Sequence, residues 1–248
     1  MSGSAGQLEK AIARNLRNVR ERLARACERA GRDPGAVRLV GISKTFPASH
    51  VRAAAAAGLT DLGENRVQEA LEKIADTADL RGITWHLVGH LQSNKARRAA
   101  AAMAWIQSVD SVGLLRRLDH AAAAEQATPR LLVQVDLAGE RTKHGAPAAA
   151  VREILDAATA CGAVDVRGLM ALPPWSDDPE QARPWFRRLR ELRDRLIDAG
   201  APPACLRDLS MGMSHDFDVA VEEGATVVRV GTAIFGRRAP RPAATTAS

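Results

Sequence analysis

A lysine closes the short apolar run Val37-Arg38-Leu39-Val40-Gly41-Ile42-Ser43-Lys44-Thr45-Phe46. The run is biased to β-branched residues and suits a strand covered on both faces, as in a parallel sheet. Pro47 follows and suits the first turn of a helix. Lys44 therefore stands where a strand hands over to a loop, the edge at which α/β proteins bind ligands. An amine there is either a solvated charge or a nucleophile placed to form a Schiff base with an aldehyde. A second charge, Arg229, interrupts the apolar run Val227-Val228-Arg229-Val230. A guanidinium keeps its proton, so a buried one needs a carboxylate or a ligand acceptor such as a ring nitrogen. On either side of it, Ser210-Met211-Gly212-Met213-Ser214 and Gly231-Thr232 offer hydroxyls and open backbone amides, the groups that cradle phosphate. The alternative is a pair of ordinary turns, with Ser214 as a helix cap. Asn65, His90 and Lys143 also fall in polar segments after apolar runs. His86 and His90 lie four apart, but they straddle a strand end and lack the glutamate of His-Glu-x-x-His, so no metal site is expected there.

Strands and helices alternate along the chain. Helical spacing of Leu8, Ile12, Leu16, Val19, Leu23 and Cys27 predicts a helix over about 7–30. After the strand ending near Lys44, helices are expected over 48–57, 67–75, 96–103, 114–125, 147–160, 179–199 and 216–222. The 147–160 helix is expected to start on Pro147, and the 179–199 helix to bend at Pro184. Strands are expected over 59–63, 83–88, 105–109, 130–137, 164–172, 206–210 and 226–230. Eight strands alternating with eight helices imply a single (β/α)8 TIM barrel in the α/β class, with a doubly wound sheet as the alternative. No Gly-x-Gly-x-x-Gly opens the first helix and no P-loop occurs, which disfavours dinucleotide and nucleoside triphosphate sites. The expected domain covers 1–236, and the Pro/Ala/Thr-rich stretch 237–248 is expected to be a disordered tail.

Composition narrows the partners. The 248 residues carry a formal net charge of +6. The arginines of the 179–199 segment alternate with acids, as on a solvated helix face. Aromatics make up 3% and tyrosine is absent, so a base-stacking platform for nucleic acid is not expected. Cys27, Cys161 and Cys205 form no CxxC pair, which suits a reducing cytoplasm. Neither a signal peptide nor an apolar run of membrane-spanning length is seen.

A phosphate site, an amine and an arginine aimed at a ring nitrogen together describe a pyridoxal phosphate (PLP) site. The blocks Leu39–Thr45, Gly63–Arg66, Trp85–Lys95, Gly168–Leu172, Leu209–Ser214 and Val228–Gly236 closely resemble the pyridoxal phosphate homeostasis proteins. The resemblance runs from the first helix to Gly236. It implies a barrel like the N-terminal domain of alanine racemase, of fold type III among PLP proteins, with no second domain. It further implies that Lys44 carries PLP as an internal aldimine. Ser210, Gly212, Ser214, Gly231 and Thr232 match the family's phosphate-binding segments, Arg229 the residue at the pyridine nitrogen, and Asn65 and His90 residues near the cofactor. Lys143 matches a second lysine linked to cofactor release or transfer, with a plain surface lysine as the alternative. The implied function is to carry or buffer PLP in the cytoplasm, as a monomer serving PLP-dependent apoenzymes, without nucleic-acid or membrane partners and without catalysis of its own. The alternative is a low-activity amino-acid racemase. Alanine racemase needs a tyrosine as its second acid/base group, and this chain has none.

Overall fold

The computed structural model describes residues 2–139 and 144–237. Eight parallel strands close into a barrel: β1 (Arg38–Ile42), β2 (Asp61–Glu64), β3 (Thr84–Leu87), β4 (Trp105–Val109), β5 (Arg130–Asp136), β7 (Asp165–Ala171), β8 (Asp208–Ser210) and β9 (Val227–Val230). The order β4-β3-β2-β1-β9-β8-β7-β5 is joined into a ring by the β4–β5 pairing. A two-residue strand, β6 (Ala146–Pro147), pairs alongside β5. The 237–248 tail expected to be disordered lies outside the described residues, apart from Arg237.

Helices cover the outside: α1 (Ser2–Arg29), α2 (Ala48–Ala56), α3 (Val67–Asp76), α4 (Ala96–Ala102), α5 (Val112–Ala124), α6 (Val151–Ala158), α7 (Arg183–Asp198), α8 (Phe217–Glu222) and α9 (Thr232–Phe235). The stripe Ile12, Leu16, Val19, Leu23 and Cys27 is buried, and it seats α1 against α2, α8 and α9. The helix that precedes β1 thus fills the gap in the outer ring.

Two prolines act differently from expectation. Pro147 pairs with Asp136 at the end of β6 and is the N-cap of a 3₁₀ turn, so α6 itself begins four residues later. Its ψ of 144° is extended backbone. Pro184 lies in the first turn of α7, where the missing N–H breaks no bond, so it marks a start and not a bend. A 3₁₀ turn over Pro179–Ala182 precedes it.

Strand alternation divides the residues between two cores. Leu39 packs toward the helices, while Val40, Ile42, Val88 and Val227 form a cluster inside the barrel. Trp105, Leu132 and Met170 form a second interior cluster. The rest of the barrel interior is polar. His86 and Ser210 are fully buried and Arg229 is 4% exposed.

Candidate functional site

The turn after β1 carries Lys44, which is half-buried. Thr45 beside it has φ +70°, a conformation that β-branched residues adopt rarely. β1 pairs with β9 in a register that sets Val40 against Arg229. The turns after these two strands are therefore neighbours. A Cβ built on Gly231 would lie 3.4 Å from Ile42 O.

Arg229 sits inside the barrel on neutral partners. Its Nη1 donates to Ser210 Oγ at 2.5 Å and its Nη2 to Ala171 O at 2.9 Å. Among the described residues it makes no ion pair within 4 Å, although Asp216 acts on it through space. Burial presses its pKa down to about 10, partly offset by Asp216, so the guanidinium stays charged at neutral pH. Ser210 passes the chain of hydrogen bonds on, donating to Gln107 Oε1 at 2.6 Å. Gln107 Nε2 donates to His86 Nδ1 at 3.0 Å. That fixes the His86 proton on Nε2, which faces Asp61 Oδ1 at 3.0 Å. Arg38 Nη1 reaches the same Asp61 oxygen at 2.7 Å. A directed polar chain thus crosses the barrel interior from Arg229 to Asp61.

His86 is pushed down from the ordinary histidine range by burial, which outweighs its hydrogen bond to Asp61. The unfolded chain therefore binds a proton here more readily than the folded one, and stability falls as pH drops below about 6.5. His50, also pressed down by burial and by Lys73, adds in the same direction. The thermal midpoint is expected to fall steadily from pH 7 to pH 5. A flat profile would contradict the neutral, buried His86.

The strand-end segments come together as follows. Ser214 Oγ accepts from the amides of Gly231 and Ala233 at 3.1 and 3.3 Å. Arg229 N–H donates to Gly212 O at 3.0 Å. Ser210, Arg229 and Gly212 are thus one hydrogen-bonded group, and Ser214, Gly231 and Ala233 are a second one two residues along the chain, with Thr232 exposed at the start of α9. Ser214 is not the cap of α8, since Asp216 holds that position. The Ser210 hydroxyl is engaged with Gln107 and Arg229 and is fully buried. Gly212, at φ +89°, has Phe217 Cα and Ala220 Cβ within 2.9 and 2.5 Å of where a Cβ would be. Gly212→Ala should therefore cost about 2–3 kcal/mol, read as a lower urea midpoint with an unchanged slope.

Asn65 follows β2 and is half-buried. Gly89 allows the next loop to press against it; a Cβ on Gly89 would lie 2.2 Å from Asn65 O. His90 lies farther round the rim. It stacks on His144 at 3.7 Å and faces Asp110 Oδ2 at 3.5 Å, groups carried by the loops after β4 and β5. It shares no hydrogen bond with the Ser214–Gly231 set among the described residues. Lys143 lies outside the described residues. His86 and His90 point to different partners, and no cluster of three or more metal-ligating side chains occurs among the described residues. Gln107, Glu64 and Lys73 join these networks without an expected role of their own. A polar side chain at an inward position of Trp105-Ile106-Gln107-Ser108-Val109 is the available signal for the first.

The model of the alanine racemase N-terminal domain family matches residues 9–239. A pyridoxal phosphate homeostasis protein of Aquifex aeolicus is 43% identical over 223 residues, covering 90% of this chain and 96% of its own. This chain belongs to that family. The homeostasis protein of Pseudomonas aeruginosa is 42% identical over 227 residues, covering 92% of this chain and 96% of its own. The solved structure of PipY from Synechococcus elongatus with PLP bound superposes with a TM-score of 0.81 at 41% identity, covering 91% of this chain and all of that one. The pyridoxal phosphate homeostasis family and the alanine racemase barrel are thus joined in one chain, with the residues described above at the carboxyl ends of β8 and β9, beside that of β1.

Proposed function

We propose that this chain binds PLP on Lys44 and carries or buffers it, contributing to PLP homeostasis. The observation that carries this reading is Arg229, a charged guanidinium buried on neutral acceptors one strand from the Lys44 turn. A guanidinium has more N–H groups than these two bonds use, and a pyridine nitrogen is an acceptor that would suit it. The donor set fits the rest of the molecule. The amides of Gly231 and Ala233 converge on one oxygen, that of Ser214, as they would on a phosphate oxygen, and Gly212 brings the buried turn after β8 close behind them. PLP, when bound, supplies an aldehyde and a conjugated ring. Lys44 supplies the amine, Arg229 holds the ring nitrogen unprotonated by charge repulsion, and the amides hold the phosphate. Asn65 after β2, Thr232 at the start of α9 and His90 after β3 would complete the surroundings of the cofactor. PLP-bound PipY, at 41% identity, supports the reading.

The relatives are named for homeostasis and not for a reaction. We read this chain likewise as a carrier without catalysis. With no tyrosine, the two-base racemisation of alanine racemase has no second base of that kind. A racemisation assay with D- and L-amino acids decides between carrier and racemase. The carrier reading expects turnover no faster than free PLP gives, and faster turnover would overturn it. The reading extends to a single PLP-binding domain over 1–236, acting as a cytoplasmic monomer that delivers PLP to apoenzymes and has no nucleic-acid or membrane partner. No described helix is long and apolar enough to cross a membrane.

A further inference from the structure

Lys44 is carried on a turn whose conformation its own residues disfavour. Thr45, at φ +70°, lies in the left-handed region that costs a β-branched side chain most. Such a backbone persists where its surroundings over-determine it. Here the surroundings come from the end of β2 and from α3. Lys73, 5% exposed, donates from Nζ to Ser43 O at 2.7 Å, Glu64 Oε1 at 2.6 Å and Glu69 Oε1 at 2.9 Å. These acceptors satisfy all the protons of an ammonium. Ser43 Oγ donates to the same Glu64 oxygen at 2.6 Å, and Glu69 Oε1 accepts the Thr45 N–H. The residues on both sides of Lys44 are therefore tied to one buried cation and its two carboxylates.

The electrostatics show which member is committed. Burial raises Glu64 despite its bonds from Lys73 and Ser43, and its Oε2 is buried with no partner among the described residues. Burial opposes ionisation of Glu69 too, but the bonds from Lys73 and from the Thr45 amide outweigh it and hold its pKa low. Glu69 is thus a firm anion facing the strained amide. An ion network serving stability alone has no need to end on the backbone of residues 43 and 45.

We propose that Lys73, with Glu64 and Glu69, is a positioning device for Lys44, holding the Ser43–Thr45 backbone in the turn that presents the Lys44 amine to an aldehyde. This rests on the reading of Lys44 as the residue that takes PLP. Removing Lys73 alone would strand buried carboxylates, so the test uses the paired variant Glu64→Gln/Lys73→Met, and separately Glu69→Ala, whose side chain is partly exposed. Both should keep the far-ultraviolet circular dichroism of the parent. Without PLP, amide hydrogen exchange over residues 43–46 should quicken at least tenfold. With PLP, the dissociation constant should rise at least tenfold and borohydride labelling of Lys44 should slow. Thr45→Gly in the Glu69→Ala background should recover part of that affinity, because glycine takes positive φ without the side-chain clash. A merely stabilising network predicts no such rescue. Folded variants that exchange and bind PLP as the parent does would overturn the proposal. If the parent itself takes up no PLP, the proposed function fails, while the exchange comparison on the PLP-free protein still decides the role of Lys73.

Discussion

Lys44→Ala should abolish the covalent attachment of PLP while leaving the barrel folded. The visible absorbance that PLP gains on joining a lysine should be absent in the variant at every PLP concentration, and borohydride should leave no phosphopyridoxyl group at position 44. The fold should hardly notice. The side chain is half-buried on a turn outside the hydrophobic clusters, so its loss leaves the core packing intact. Residual, reversible binding through the Gly231 and Ala233 amides and Arg229 should persist, because these groups do not depend on the amine. A variant whose spectrum matches the parent's would mean that another group takes the aldehyde.

Arg229→Glu is expected to have the second-largest effect, with a spectral component that separates it from simple destabilisation. A carboxylate in place of the guanidinium favours a protonated ring nitrogen, so the pH at which bound PLP changes its absorbance should move upward. Arg229→Gln, which keeps hydrogen-bonding capacity but not charge, should weaken PLP binding about ten- to hundredfold. That is the loss expected for charge-assisted hydrogen bonds of ~1.5–3 kcal/mol. Both variants should also lose stability, since Arg229→Glu leaves Ser210 Oγ and Ala171 O without their buried donor, at ~1–3 kcal/mol for an unsatisfied group, and the shorter amide of Arg229→Gln replaces at most part of that pair of bonds. Unchanged absorbance, pH response and affinity in Arg229→Glu would mean that the residue does not face the ring. Chemical denaturation on the same samples separates loss of affinity from loss of fold.

Much of the barrel was legible because each strand is a short apolar run punctuated by glycine or a polar turn. The strand expected over Trp105–Val109 matches the observed one to the residue, and the run Val37–Phe46 alone sets Lys44 just past a strand. The juxtaposition of β8 and β9 with β1 followed from the closed alternation of elements. Features that depend on geometry were not legible. The positive φ of Thr45 follows from no sequence rule, since threonine is among the last residues to be expected there. Lys73 reads as one more charge on a helix, because its neighbours Ser43 and Glu64 come from other elements. Gln107 and His86 look like strand residues until register decides that both point inward. Pro147 is expected to start a helix and Pro184 to bend one, and both differ because a fixed φ suits a strand end, a helix start or a bend equally. Ser214 shows the same limit: a serine before a helix suggests a cap, yet its oxygen meets the amides of another turn.

The central claim is chemical, and one measurement reaches it directly. The purified protein is incubated with PLP, reduced with borohydride, digested, and the modified lysine is located by mass spectrometry. One phosphopyridoxyl group per chain, on Lys44, is the expected result. Label spread over surface lysines, or concentrated on another single lysine, would contradict it.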